Sequence, residues 1–132
     1  MTLWQVRHVS VSIDRSPDEV YAFASDPRNL PLWASGLAGT IRQVNGVWTA
    51  DSPMGRITIA FASNNALGVI DHDVTLPSGD TIHNPMRVVP NGTGSEVVFS
   101  LFQLPGVSDD KFAQDAAWVA RDLEALRGAL KR

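Results

Sequence analysis

Between Thr40 and Leu104 the chain repeats one pattern: a short apolar run, then a turn signal. The runs are "TIRQV", "VWTAD", "RITIAF", "LGVIDHDVTL", "DTIHNPMRVV" and "SEVVFSLFQL"; between them stand "NG", "SPMG", "SNNA", "PSG" and "PNGTG". Runs this short and this rich in β-branched residues read as strands. Asn45-Gly46 is the strongest two-residue hairpin signal, because both positions tolerate positive φ. Strands joined by tight turns can only pair antiparallel, since a parallel pair needs a crossover of a dozen or more residues. Six consecutive strands therefore make an antiparallel meander, with an apolar face that something must cover.

The cover is at the end of the chain. In "SDDKFAQDAAWVARDLEALRGALKR", Phe112, Ala116, Val119, Leu123, Leu126 and Leu130 recur at helical spacing. Ser108 suits the N-cap, and Asp109 and Asp110 suit the positive end of the helix dipole. At the other end, residues 4–13 alternate, with Val9, Val11 and Ile13 on one face of a further strand. "SPDEVYAFAS" follows, with Ser16, Pro17 and Glu19 forming a capping box with proline at the first helical position. Val20, Phe23 and Ala24 form its stripe, and Pro27 ends it by Asp26. In "DPRNLPLW", Asp26 caps a second short helix, Pro31 forces a break or restart, and Gly36 is the expected stop. The order strand, helix, short helix, six strands, long helix is α+β. At 132 residues, with no repeat or linker, the chain reads as one domain over 1–132.

Composition narrows the function. Asp and Glu number 14 against 11 Lys and Arg, with no basic cluster, which argues against a nucleic-acid partner. There is no cysteine, so disulfides, thiolate metal sites and a cysteine nucleophile are excluded. No apolar run approaches a membrane span, and the first residues lack a signal-peptide core, so a cytoplasmic location is expected.

The segments "VSVSIDRSPDEVYAFASDPRNLPLWASG" and "NPMRVVPNGTGSEVVFSLF", together with the final helix after "PGVSDDKF", resemble the START-related helix-grip superfamily (SRPBCC). That superfamily includes polyketide cyclase/dehydratase-like proteins and the plant pollen allergen fold. The resemblance covers nearly the whole chain. It implies a curved seven-stranded antiparallel sheet gripping the C-terminal helix, with a cavity for apolar ligands between them. It implies no activity by itself, because one fold hosts many functions.

Within such a cavity the candidate lining is Phe23, Trp33, Ile57, Ile59, Phe61, Ile70, His72, Asn84, Met86, Phe99, Leu101, Phe112, Ala116 and Val119. In "DHD", alternation puts Asp71 and Asp73 on one face and His72 on the other with Ile70 and Val74. His72 is then either an inward acid–base or ligand-binding group or a hydrogen-bonded core histidine. By the same alternation Ile82, Asn84, Met86 and Val88 share a face, and His83 sits with Arg87. Asn84 either orients a ligand or caps a bulge at Pro85. Trp33 reads as a ligand contact at the cavity mouth or a structural plug. Trp118, on the flank of the last helix's stripe, covers a core edge or marks a dimer contact.

His8, His72 and His83 are scattered, with no metal-binding spacing, and no phosphate loop or nucleophile elbow occurs. No cofactor or metal is expected. The leading expectation is a carrier for a small hydrophobic molecule, acting as a monomer or homodimer without membrane insertion. A cyclase/dehydratase using His72, Tyr21 or Asn84 is the first alternative, and a co-chaperone-like interaction protein the second.

Overall fold

A computed structural model describes residues 2–36 and 41–131. The first strand, β1 (Val6–Ile13), leads into α1 (Pro17–Ala24). The α1 cap is the one its sequence calls for: Ser16 Oγ accepts from the Glu19 N–H at 3.3 Å and donates to Glu19 Oε1 at 3.1 Å. A 3₁₀ turn (Pro27–Asn29) follows, with Asp26 accepting from the Arg28 N–H at 3.0 Å, and then the single-turn α2 (Leu30–Trp33). Pro31 lies in the first turn of α2, so its missing N–H costs no helical bond. This helix ends at Trp33, where Ala34 turns extended, rather than at the expected Gly36.

Strands β2 (Ile41–Val44), β3 (Val47–Ser52), β4 (Gly55–Phe61), β5 (His72–Thr75) and β6 (Thr81–Asn84) form one antiparallel sheet in that order. Thr40, read as the start of β2, lies outside the described residues. At the β2–β3 turn Asn45 has φ 54° and Gly46 φ 80°, the two positive values that Asn-Gly allows. Strands β7 (Met86–Asn91) and β8 (Gly94–Phe102) join β1 in a second sheet, ordered β1-β8-β7.

The strands number eight, against the seven expected. The extra one arises at Pro85, which has no N–H to donate and divides the run 80–89 into β6 and β7. Pairing with the preceding run nevertheless keeps one register across the proline. His72 faces Asn84, Val69 faces Arg87, and the Ile70 N–H donates to Met86 O at 2.9 Å. Asp71 repairs the local gap: its Oδ1 accepts from the Met86 N–H at 2.8 Å. The break is thus a kink that joins the two sheets.

The last helix, α3 (Asp109–Leu130), is capped by Ser108 Oγ, which accepts from the Lys111 N–H at 3.1 Å. Its C-terminal half buries Leu123, Leu126 and Leu130 among Val11, Ile13, Val20, Ala24, Leu30, Val88 and Val97. Two arginines from either end of β1 hold it. The Arg7 guanidinium lies 5.5 Å from the centre of the Phe112 ring, and Arg15 Nε donates to Leu130 O at 2.9 Å. Among the described residues no helix is long and apolar enough to cross a membrane.

Candidate functional site

The apolar stripe of α3 has two destinations. Its C-terminal half is core, but toward the N-terminus Lys111, Asp115, Trp118 and Val119 border an open cleft of ≈ 420 Å³ between the helix and the sheet. Val74, Ile82, His83, Asn84, Phe99 and Leu101 contribute from the sheet, with Phe102, Leu104 and Val107 at one end. A second recess of ≈ 360 Å³, reaching Ile57 and Gly36, shares Met54, Lys111, Asp115 and Trp118 with the first. The two make one groove that passes Trp118.

Strand register explains why the sheet side is apolar. Trp48, Ile59, Val74 and Ile82 form one cross-strand row, and Phe61, His72 and Asn84 form the next. Val9, Phe99 and Met86 continue the inner face across β1, β8 and β7. Alternation sends the charged residues of the same strands outward. There Arg87 grips Asp71 with two bonds of 3.0 Å, and His83 Nδ1 lies 2.5 Å from Asp73 Oδ1. The Arg87 guanidinium holds the Asp71 carboxyl below the usual carboxylate range. "DHD" is therefore split by the pleat, and neither aspartate orients the His72 ring.

His72 is 9% exposed and lies between two phenyl rings, with ring centres 5.0 Å from Phe61 and 6.2 Å from Phe99. Its Nδ1 is 3.1 Å from Ile70 O. A carbonyl only accepts, so Nδ1 carries the proton and a neutral ring leaves Nε2 with a lone pair. Burial pushes the imidazole below the usual histidine range, which favours that neutral form. Asn84, opposite His72, is partly buried and lines the cleft. Among the described residues neither His72 Nε2 nor the Asn84 carboxamide has a hydrogen-bond partner.

Of the residues singled out in the sequence, Ile57, Asn84, Phe99, Leu101 and Val119 border the groove. Ile59, Ile70, Met86, Phe112 and Ala116 are buried, and Phe61 is partly buried beside His72. Phe23 faces a different surface hollow with Arg15 and Leu130. Tyr21 lies elsewhere, its hydroxyl accepting from the Asn65 N–H at 3.1 Å. Trp33 is 5% exposed and packed in the core, and its Nε1 is buried with no partner. Sequence reasoning did not place Met54, Val74, Ile82, His83, Lys111, Asp115 or Trp118 at the groove. Val74 and Ile82 were legible, since they share the His72 and Asn84 face; Met54, in a turn, gave no signal.

The mouth has its own construction. Trp118 is 43% exposed, with the Arg121 guanidinium 4.9 Å from its ring centre. Asp122, one residue further, accepts from Ser35 N at 3.1 Å and Ser35 Oγ at 2.5 Å, tying the segment after α2 to α3. Burial pushes the Asp122 carboxyl up. Lys111 and Asp115 pair with each other one helical turn apart. Among the described residues no group of three or more histidines or carboxylates is placed to hold a metal.

An antiparallel sheet wrapped on one long helix, with an apolar groove between them, defines a helix-grip protein. Residues 6–132 match the family of polyketide cyclase/dehydrase and lipid transport proteins, and the chain belongs to that family. The fold is similar to XoxI from Bacillus cereus, at TM-score 0.73 and 19% identity over 94% of each chain. It is similar also to DynU16, from the dynemicin biosynthetic locus, at TM-score 0.70 and 17% identity over 95% of this chain and 46% of that one. The Aha1 dimer from Colwellia psychrerythraea gives TM-score 0.74 and 14% identity over 96% of each chain. At these identities the likeness is one of fold. No curated protein matches the sequence.

Proposed function

We propose that this protein binds a small hydrophobic molecule in the groove between the sheet and α3. The observation that carries this reading is the groove itself: ≈ 420 Å³ bordered by Val74, Ile82, Phe99, Leu101, Trp118 and Val119, within the size range of small-molecule sites. The family's lipid-transport description supports it, as does the likeness to a protein of a biosynthetic locus. A binding role fits better than turnover because the polar groups do not converge. Lys111 and Asp115 satisfy each other on the helix, the His83 imidazole at the cleft's edge is paired with Asp73, and the Asn84 carboxamide is no acid or base at neutral pH.

Titration with the neutral fluorophore N-phenyl-1-naphthylamine tests the reading. Val119→Trp fills the groove from the helix side and should weaken binding about tenfold or more, as loss of good apolar contact does. Its thermal midpoint should stay close to that of the parent. Equal affinity in parent and variant would refute the groove as the site.

A further inference from the structure

The cleft beside α3 touches both faces of the sheet at one place. Ile82, His83 and Asn84 are consecutive on β6, and Leu101 and Phe102 are consecutive at the end of β8, yet all five border it. Consecutive residues of a strand point to opposite faces. A cleft bordered by both kinds runs along the strand edges, in a slot between β6 and β8. The register shows how the slot opens. Strands β7 and β8 pair as far as Met86 and Phe99, and the next pair keeps one bond, from the Ser100 N–H to Pro85 O at 3.0 Å. Pro85 has no N–H to return, and beyond it β6 pairs with β5 in the other sheet.

The slot is edged by main-chain groups without partners. In an antiparallel ladder, mutually bonded pairs recur at every second residue. The Leu76 N–H bonds to Asp80 O at 2.8 Å, so Ile82 and Asn84 also direct their main-chain groups to β5, and His83 directs its own away. The Gln103 N–H bonds to Gln5 O at 2.9 Å, so Leu101 is directed to β1, and Ser100 and Phe102 face the slot. Among the described residues no hydrogen bond reaches the N–H or C=O of His83 or Phe102, or the Ser100 carbonyl. The ionisable side chains nearby are matched: the His83 imidazole lies against Asp73, and Lys111 pairs with Asp115.

A strand edge is completed by another peptide group, which brings one N–H and one C=O. Here the β8 edge has two open acceptors, Ser100 O and Phe102 O, against one donor, and the β6 edge offers the His83 N–H. We infer that the groove's ligand is a small apolar amide lying across this slot. Its N–H donates to the β8 carbonyls, and its C=O accepts from the His83 N–H. An ester or a carboxylate brings no proton for those carbonyls. This rests on the groove being the binding site, and the test separates the two claims.

Calorimetric titration at neutral pH compares N-methyl-1-naphthamide, its ester analogue methyl 1-naphthoate, and naphthalene. The parent protein should bind the amide about tenfold more tightly than the ester, the scale of one well-made hydrogen bond in a buried site. His83→Pro removes the slot donor without breaking a bond to β5, and His83→Ala removes the same imidazole while keeping that donor. The proline variant should bind the amide about fivefold more weakly than the alanine variant, with equal naphthalene affinity, which a merely structural effect would not spare. If His83→Pro does not fold, the amide–ester comparison on the parent carries the test. Ester binding as tightly as amide, or equal amide affinity in the two variants, would overturn the amide assignment and leave the groove standing. No binding of any probe would overturn both.

Discussion

Trp33 shows what a single residue reports. Two prolines just before it allow only a short, restarted helix, and the largest apolar side chain on so short a helix demands a partner. The structure supplies a core site: Trp33 is 5% exposed, on the one-turn helix that leans on α3. Its indole N–H is buried without a partner, so this site wants the ring and not the nitrogen. Trp33→Ala should cost about 3–5 kcal/mol, the range for emptying a buried aromatic site. Trp33→Phe should cost far less, because it also removes a donor whose burial costs about 1–3 kcal/mol. Urea unfolding of both variants reads the difference, and equal losses would mean the indole N–H is bonded after all.

At the scale of elements, the kink at Pro85 is the feature that shapes the groove, because residues 68–70 bond to β7 in one sheet while β5, which follows them, pairs with β6 in the other. The turn needs Gly68. Its φ is 74°, and a Cβ there would sit 2.1 Å from Val88 O, against the very strand it pairs with. Gly68→Ala should therefore cost about 1–3 kcal/mol for the backbone conformation alone, and more for the contact. Gly92 is the comparison: its φ is also positive, at 60°, but nothing lies within 4 Å of its Cβ position. Gly92→Ala should cost only the left-handed backbone term of about 1–2 kcal/mol. Thermal unfolding that ranks the two variants equally would refute a packing role for Gly68.

At the scale of the whole molecule, two aspartates pull the pH dependence of stability in opposite directions. Arg87 lowers the Asp71 carboxyl in the folded state, so its stabilisation is present above the ordinary carboxylate range and is lost as pH falls below about 4. Burial raises the Asp122 carboxyl, so folding favours its protonated form, and that contribution is lost as pH rises through the raised value. Asp122→Asn keeps an acceptor for Ser35 and removes the titration. The variant should lose less stability than the parent as pH rises from about 4 to neutral. Parallel stability profiles from urea unfolding across that range would show that Asp122 does not titrate abnormally.

Much of the element plan was legible because local rules decide it. The capping box at Ser16, the Asn-Gly turn and the proline at the restart of α2 each act within a few residues. Alternation set His72 with Val74 against Asp71 and Asp73 on one strand, and Asn84 with Ile82 against His83 on the next, since the pleat imposes a period of two whatever lies beyond it; only the register that pairs His72 with Asn84 put both on one side. The helical stripe of α3 likewise announced that this helix covers a sheet. The sequence by itself could not say where along that stripe packing stops and open space begins. Val119 and Leu123 occupy equivalent places in the pattern, yet Val119 borders the groove and Leu123 is core. That difference depends on how far the kinked strands stand from the helix, a distance between segments remote in the chain. The same remoteness hid Met54 and Trp118, which meet only because a turn at residue 54 and a helix at residue 118 close on one opening. Periodicity assigns a face to each residue; only the packing of whole elements decides whether that face meets another side chain or a space for a ligand.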